Sequence, residues 1–222
     1  MGDLNQYHYV KDHCSSFTGP FLEIGSRDYG TTWNMRPLFP GQQYIGVDMS
    51  EGKSVDLVFD LTKPFKEVDQ AFNGVRFNTI FCLNVMEHCD QPFRMAENLE
   101  ALLAPGGKIY ISVPFAWKFH GYPSDYWRFT QEGVKKLFPG LDFDNDFSNT
   151  TTSRIGETLP LNENLGRIFM SGKTHRKNGH YLRGLSADIL KILRKLGFLR
   201  WLTGYRYVMA PTMINMVGIR PE

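Results

Sequence analysis

Five short apolar segments in the first half of the chain constrain the fold more than any other feature of the sequence. Each is four to six residues long, mostly apolar and often β-branched, which is typical of strands buried on both faces of a sheet. Such strands need helices above and below them, so the pattern predicts an α/β domain with a mostly parallel sheet. The segments are Phe21–Ile24, Gln43–Val47, Val55–Phe59, Thr79–Leu83 and Lys108–Val113.

The segment Pro92–Leu103, between the fourth and fifth apolar runs, has the period of a helix. Gly106 and Gly107 follow it closely and suit the C-terminal end of a helix. A strand, a helix and a second strand in this order indicate a parallel crossover. The apolar positions of the helix are Phe93, Ala96, Leu99, Leu102 and Leu103.

The second half of the chain is less regular. Gln131–Leu137 is predicted to be a short helix with Thr130 as its N-cap, and residues from about 150 to 180 are predicted to be loop. Thr212–Ile219 is predicted to be the last strand, and "LDFDNDFS" alternates like a strand. With 222 residues the chain fits one domain, 1–222, with a basic helical insertion at 150–206 before the last strand.

The composition excludes some classes of protein and shows where the positive charge lies along the chain. The chain has no run of about 18 apolar residues and no apolar N-terminal segment, so the sequence predicts neither a membrane span nor a signal peptide. Its three cysteines lack metal-site spacing and predict reduced thiols in a cytoplasmic protein, with no metal site. The net charge of +2 conceals a basic segment, Arg154–Arg206, with 11 Lys and Arg against 3 acids. Either a solvated surface or an anionic partner accounts for that segment.

Acidic and polar residues follow the predicted strands. Asp48 ends the second strand, Asp60 the third, and Asn84 with Val85 the fourth. Ligands of such sheets bind outside the carboxyl ends of the strands. An acid at the second strand end can accept from both hydroxyls of a ribose, and one at the third can accept from an adenine amino group.

The loop after the first strand, "IGSRDYG", argues against a dinucleotide. A dinucleotide fingerprint is G-x-G-x-x-G, and Arg27 stands in place of its middle glycine. Glu23, two residues before Gly25, would oppose a pyrophosphate but would suit a cationic cofactor. The loop therefore predicts a nucleoside cofactor with a positively charged amino-acid portion and no phosphate.

Five motifs in order resemble those of the class I S-adenosylmethionine-dependent methyltransferases. They are "LEIGS", "YIGVDMS", "DLVFDL", "FNTIFCLNVMEH" and "LAPGGKIYISVPF", within Phe17 to Phe138. The resemblance implies a Rossmann-like, doubly wound sheet of seven strands, mostly parallel, with Thr212–Ile219 inserted antiparallel as the last. It also implies S-adenosyl-L-methionine as the cofactor.

The resemblance implies cofactor-binding roles by motif position. It places Glu23, Gly25 and Ser26 at the methionine moiety, Asp48 and Met49 at the ribose, Asp60 and Leu61 at the adenine, and Asn84, Val85 and His88 beneath the cofactor. Arg27 departs from the family's glycine loop, and it either lies near the methionine carboxylate or faces solvent.

"MEH" and "HGYPSDYWRFT" are similar to sequences of a subgroup met among small-molecule and surface-polysaccharide methyltransferases. The second stretch follows the fifth strand, so it is expected to face the acceptor, unless it is only a packed aromatic lid. Aromatic rings can pack on sugars, and Asp and Arg can bind hydroxyls or an anionic group. The predicted acceptor-binding residues are His120, Tyr122, Asp125, Tyr126, Trp127 and Arg128.

A hydroxyl acceptor needs a base, and His120 or Asp125 is predicted to supply it, with His88 as a further candidate. The predicted function is methyl transfer to a small-molecule or glycan hydroxyl. The alternatives are a nicotinamide-dependent oxidoreductase or epimerase, which Arg27 in the glycine loop disfavours, and a non-catalytic binding protein of the same fold. A nucleic-acid methyltransferase is not expected, because "NVME" is not an N-P-P-Y-like tetrad.

Ser186–Leu202 is predicted to be an amphipathic helix, broken near Gly197, with four cations beside its apolar face. Three interpretations remain open: a cap on the active site, a homodimer contact, or a helix on an anionic membrane surface such as the inner face of the cell membrane. The apolar residues are Ile189, Leu190, Ile192, Leu193, Leu196, Leu199 and Trp201; the cations are Lys191, Arg194, Lys195 and Arg200.

Overall fold

The computed structural model describes residues 2–121, 123–143, 150–154, 157–161, 165, 172–198 and 211–222. Its described strands form one sheet in the order β3-β2-β1-β4-β5-β9-β7-β8, and β6 also pairs with β9. The strands are β1 Phe21–Ile24, β2 Tyr44–Asp48, β3 Leu57–Val58, β4 Phe77–Leu83, β5 Leu103–Ala116, β6 Asp142–Phe143, β7 Thr150–Arg154, β8 Glu157–Pro160 and β9 Thr212–Ile219.

The five predicted strands are confirmed, and they are parallel to one another. The predicted last strand, β9, lies antiparallel to β5, with Ser112 opposite Asn215. The predicted count of seven strands is wrong, because the described residues form nine. Two short strands, β6 and β7, follow one another along the outer edge of β9, and β8 adds a further edge. The prediction of loop from about residue 150 to 180 is therefore wrong for β7 and β8, and it is also wrong for the helix Gly172–Lys177.

Six α-helices are described: α1 Leu4–Asp12, α2 Phe65–Ala71, α3 Pro92–Leu102, α4 Gln131–Leu137, α5 Gly172–Lys177 and α6 Tyr181–Lys195. The predictions of α3 and α4 are confirmed, and the Thr130 side chain accepts from the Gly133 N–H at 3.0 Å as an N-cap does. The predicted bounds of α6 are wrong. It begins five residues before Ser186 and ends at Lys195, and the predicted stretch after residue 198 lies outside the described residues.

Alternating residues of the central strands point to two separate apolar layers. Leu22 and Ile24 of β1 belong to one layer, whereas Phe21 belongs to the other, which includes Tyr9 and Val10 of α1. A sheet covered by helices on both faces is the doubly wound arrangement that the sequence predicts. The first layer is built around Ile80, Cys82, Ile109 and Ile111 with Leu99 of α3, and the second around Phe81, Leu83, Tyr110 and Val217.

Contacts divide the chain into two compact units, one of Met1–Leu165 with Pro211–Glu222 and one of Gly166–Ala210. The second unit is therefore shorter than the insertion predicted from residue 150. Within it, α5 packs closely on α6 at Gly184, where an added Cβ would lie 2.8 Å from Arg176 Cγ. Arg176 also forms an ion pair of 2.7 Å with Asp188 of α6. Among the helices that the structure describes, none is long and apolar enough to cross a membrane.

Candidate active site

The loop after β1 turns sharply at Gly25, where the chain comes very close to the residue that follows β4. Gly25 has φ of 65°, a conformation that L-residues with side chains rarely adopt. A Cβ added there would lie 2.6 Å from Val85 Cγ2. The loop therefore requires a glycine for its backbone angle and for its contact with Val85.

Asp48 joins this loop to the end of β2. Its Oδ2 accepts from the Arg27 N–H at 3.3 Å, and its Oδ1 accepts from the Ser50 N–H at 3.0 Å. Each carboxylate oxygen has two lone pairs, so the group keeps acceptor capacity for a ligand. The Arg27 guanidinium lies 5.1 Å from the centre of the Tyr29 ring.

Glu23 and Ser26 lie behind the loop rather than on its surface, because both are almost fully buried. The Tyr44 hydroxyl donates to Glu23 Oε2 at 2.8 Å. Burial raises the pKa of Glu23, and this hydrogen bond opposes the shift. The backbone N–H of Ser26 donates to the Val47 carbonyl at 3.1 Å, which fixes the loop against β2.

Asp60 and Leu61, the residues predicted to bind adenine, lie in the loop after β3. A hydrogen bond from α3 holds this loop. Asp60 Oδ1 accepts from the N–H of Thr62 at 2.9 Å and from its hydroxyl at 2.7 Å. Leu61 is buried, and its carbonyl accepts from Asn98 Nδ2 of α3 at 2.6 Å. Met49, predicted at the ribose, is 71% exposed beside Asp48.

A buried polar network covers the ends of β4 and β5, and the sequence analysis missed its central residue, Gln6. Gln6 Nε2 of α1 donates to Asn84 Oδ1 at 3.0 Å and to Ser112 Oγ at 2.6 Å, and the Ser112 hydroxyl donates to Asn215 Oδ1 at 2.7 Å. Asn84 has φ of 57°, which turns the chain sharply out of β4. In the sequence, Asp3 and Gln6 have the spacing of a capping box. That pattern indicates the start of α1 but not the burial of Gln6.

Hydrogen bonds join the segment predicted to face the acceptor, which includes Tyr126 and Trp127, to the short 3-10 helix Met86–His88 that follows β4. The N–H groups of Tyr126 and Trp127 donate to the Glu87 carbonyl at 2.8 and 3.3 Å. Trp127 Nε1 donates to the Cys89 carbonyl at 2.7 Å. Tyr126 and Trp127 remain 54% and 41% exposed, so each has surface left for a ligand. Tyr122 lies outside the described residues.

His120, Asp125 and Arg128 form one hydrogen-bonded group. Asp125 Oδ2 accepts from the His120 N–H at 2.9 Å and lies 3.2 Å from His120 Nδ1. Arg128 donates to both oxygens of Asp125 at 2.5 and 2.7 Å, and these bonds hold the pKa of Asp125 well below its usual range. Asp125 is therefore an ionised orienting group and a poor proton acceptor, so the prediction of His120 as the base is the better supported of the two.

The two predicted histidines lie together, beside a buried acid. The His88 and His120 ring centres are 4.9 Å apart and the rings are nearly perpendicular. His88 Nδ1 donates to the Ser124 carbonyl at 2.6 Å, and burial lowers the pKa of His88. Glu87 Oε1 lies 4.0 Å from His88 Nε2, and burial raises the pKa of Glu87 to about 8. The sequence analysis treated Glu87 only as part of a motif.

The exit from β4 therefore brings the two parts of the site together. Val85 contacts the position of Gly25 in the loop after β1, whereas Glu87 and His88, two and three residues later, carry the histidine cluster. A ligand on the glycine loop would have its reactive end near that exit, beside the acid–base groups.

The chain matches the family model described as a methyltransferase domain over residues 15–150. Ubiquinone biosynthesis O-methyltransferases of Coxiella burnetii are 34% identical over 86 residues, which cover 33% of this chain. The alignment spans about a third of the length of these curated relatives, 35%.

Solved structures of methyltransferases have the same fold. A SAM-dependent methyltransferase from Archaeoglobus fulgidus aligns over 96% of this chain and 92% of its own, with a TM-score of 0.52 and 15% identity. The 1,6-didemethyltoxoflavin-N1-methyltransferase of Burkholderia thailandensis aligns over 99% and 78%, with a TM-score of 0.53 and 11% identity. The chain belongs to the methyltransferase-domain family, and it has the mixed α/β Rossmann-like fold of these solved structures.

Proposed function

We propose that the protein transfers a methyl group from S-adenosyl-L-methionine to a hydroxyl of a small-molecule or glycan acceptor. The observation that carries the proposal is the exit from β4, where Val85 contacts the glycine loop and the next residues hold the paired imidazoles of His88 and His120. A cofactor site and a proton-accepting site thus meet on one short segment. Transfer to oxygen needs both.

The strand ends fit the cofactor. Asp48 ends β2 and Asp60 lies in the loop after β3, and both retain carboxylate lone pairs, as the hydroxyls of a ribose and the amino group of an adenine require. Gly25 leaves room for close backbone approach where a Cβ would not fit. When bound, S-adenosyl-L-methionine supplies a methyl group on a positively charged sulfur. The residues of this chain hold and orient it, and much of the catalysis comes from that placement.

The histidine pair is the group that removes the proton of the acceptor hydroxyl in this proposal. His120 Nδ1 faces two acceptors, Asp125 Oδ2 and the Lys118 carbonyl, so it carries the hydrogen and leaves Nε2 with its lone pair. The carboxylate orients the ring and stabilises it when it is charged, as in other acid–histidine pairs. His88 has the same arrangement, with the Ser124 carbonyl in place of a carboxylate.

Oxygen as the methylated atom is supported by the similarity to O-methyltransferases of Coxiella burnetii. A polyhydroxylated acceptor is supported by the partly exposed rings of Tyr126 and Trp127, which can pack on the apolar face of a sugar. The backbone N–H groups of these two residues donate to the Glu87 carbonyl. The same short segment therefore holds the two aromatic rings and the histidine cluster.

Methyl transfer to matched acceptors tests the proposal. Sugars, glycosides and catechol-like phenols would be incubated with the protein and isotopically labelled S-adenosyl-L-methionine, each beside the same compound with its hydroxyls already methylated. Label in the free hydroxyl compounds and not in the blocked ones is expected. Label that enters only amine or thiol acceptors would contradict a hydroxyl acceptor while leaving the methyltransferase class intact.

We propose further that α6 places the enzyme on an anionic membrane surface. Most of its exposed apolar side chains recur at the spacing of one side of the helix, and its cations lie mostly at the other positions. An amphipathic helix of this kind can bury its apolar side in the headgroup region while its cations attract anionic lipids. The exposed apolar residues are Tyr181, Leu182, Leu185, Ile189, Leu190 and Ile192, with Leu196 just after the helix; the cations are Arg183, Lys191, Arg194 and Lys195.

Co-sedimentation with liposomes tests the membrane proposal. Binding to anionic vesicles is expected to exceed binding to neutral ones and to fall at high salt, because exposed charges are screened over about 8 Å at physiological ionic strength. Ile189→Asp is expected to abolish it, with Glu97→Gln on α3 as a control. Equal and negligible binding to both vesicle types would contradict the proposal and favour a homodimer contact or a cap on the active site, which sedimentation velocity would separate.

A further inference from the structure

We propose that Glu87, His88 and His120 bind a divalent transition-metal ion that in turn binds the oxygen of the acceptor. One potential ligand atom of each residue lies within 4.8 Å of the other two. The spacing of the cysteines predicted no metal site, and the two histidines stand 32 positions apart in the sequence. For its catalytic consequence this inference depends on the proposed function, but binding of the ion does not.

The hydrogen bonds of the two imidazoles are those of metal ligands. A metal-bound histidine almost always donates its other ring N–H to a carboxylate or a carbonyl. Here Nδ1 of His88 donates to the Ser124 carbonyl, and Nδ1 of His120 faces Asp125 and the Lys118 carbonyl. Both rings therefore have Nε2 available as a ligand atom, and both are held in orientation by the protein.

Glu87 supplies an independent reason for an ion. Its side chain is 1% exposed, and its Oε2 has no hydrogen-bond partner among the residues that the structure describes. A buried carboxylate oxygen without a partner is costly, and a bound cation would satisfy it. Nearby, Arg128 is balanced by Asp125 at hydrogen-bond distance. Arg128 is therefore already paired, and the carboxylate of Glu87 is left for a cation.

Two imidazole nitrogens and one carboxylate oxygen suit Zn²⁺ and similar ions better than Mg²⁺, which prefers oxygen ligands. In a tetrahedral zinc site with bonds of about 2.0 Å, ligand atoms lie roughly 3.3 Å apart. The 4.0 Å between Glu87 Oε1 and His88 Nε2 needs only small side-chain rotations to reach that spacing. Three protein ligands leave positions open for water or for an acceptor hydroxyl, as in catalytic sites.

A cation at this place would change how the acceptor loses its proton. It would lower the pKa of a hydroxyl bound to it, so the O–H bond breaks, the electron pair stays on oxygen and the proton passes to solvent. The two imidazoles would then act as ligands, since a lone pair that binds a metal cannot also accept a proton.

Calorimetric titration of untagged, chelator-treated protein with Zn²⁺ tests the inference, with Mg²⁺ as a comparison ion. One Zn²⁺ per chain is expected, and Glu87→Gln and His120→Ala are each expected to weaken its binding by at least about tenfold. Exposed residues of the same types provide matched controls, and Glu97→Gln and His8→Ala are expected to bind Zn²⁺ as the wild type does. Equal Zn²⁺ binding by the wild type and Glu87→Gln, or none by the wild type, would overturn the inference.

Binding of S-adenosylhomocysteine in the same preparations separates the two proposals. Cofactor binding and methyl transfer that persist without Zn²⁺ binding and without sensitivity to EDTA would overturn the metal site alone. Zn²⁺ binding in a protein that transfers no methyl group to any acceptor would overturn the proposed function and leave the metal site standing.

Discussion

His120→Ala is expected to lower turnover by about 10²–10⁴-fold, the usual contribution of acid–base catalysis, because the ring either accepts the proton itself or binds the ion that lowers the pKa of the acceptor hydroxyl. Its ring lies 4.9 Å from that of His88 and is oriented by Asp125. The affinity for S-adenosylhomocysteine is expected to stay nearly unchanged, because the strand-end residues proposed to bind the cofactor do not contact His120 through any described hydrogen bond. Steady-state kinetics and calorimetry on the same preparation measure both quantities.

Two further variants make the His120 result specific. His8→Ala removes an exposed histidine of α1 and is expected to leave turnover intact. Asp125→Asn keeps the size of the side chain but removes the charge that orients His120, and we expect it to reduce turnover less than His120→Ala. Loss of cofactor binding in a folded His120→Ala variant would show that the residue belongs to the cofactor site instead.

Gly25→Ala is expected to weaken cofactor binding by about tenfold or more, which corresponds to about 1.4 kcal/mol. The left-handed backbone at this position costs a residue with a Cβ roughly 1–2 kcal/mol, and the new methyl would lie 2.6 Å from Val85 Cγ2. The loop after β1 and the exit from β4 must then move apart, at the place where the two parts of the site meet. Titration with S-adenosylhomocysteine gives the change in affinity, and thermal unfolding gives the change in stability.

Gly41→Ala is a matched control, because Gly41 also has a positive φ, of 74°, but an added Cβ there has no neighbour within 4 Å. It is expected to lower stability without a change in affinity. Val85→Ala combined with Gly25→Ala is expected to recover part of the lost affinity by removing the close methyl group. If Gly25→Ala binds the cofactor like the wild type, the contact between the loop and Val85 has no part in the cofactor site.

The sheet was predictable because its central strands are buried on both faces. A strand buried on both faces appears in the sequence as a short, continuous apolar run, such as Thr79–Leu83. A polar residue follows the run, as Asn84 follows this one. The histidine cluster was predictable in its residues but not in its geometry. Asp125 was a candidate base until the structure showed Arg128 on both of its oxygens.

The remaining features depend on contacts between distant parts of the chain. Gln6 reaches Asn84 and Ser112 across 78 and 106 positions, and nothing in a polar helix such as α1 marks a glutamine that will be buried. The strands β7 and β8 exist because they pair with the edge of β9. Their own sequences have the polar composition of loops, so tertiary pairing overrides local preference.

Calorimetric titration of the purified protein with S-adenosyl-L-methionine, and in parallel with NAD, tests the central claim most directly. We predict saturable binding of S-adenosyl-L-methionine to one site per chain and poor binding of NAD. Asp48→Ala is expected to cost about 1–3 kcal/mol of cofactor binding, the range for a buried polar group that loses its partner. Tight binding of NAD with no response to S-adenosyl-L-methionine would contradict the account.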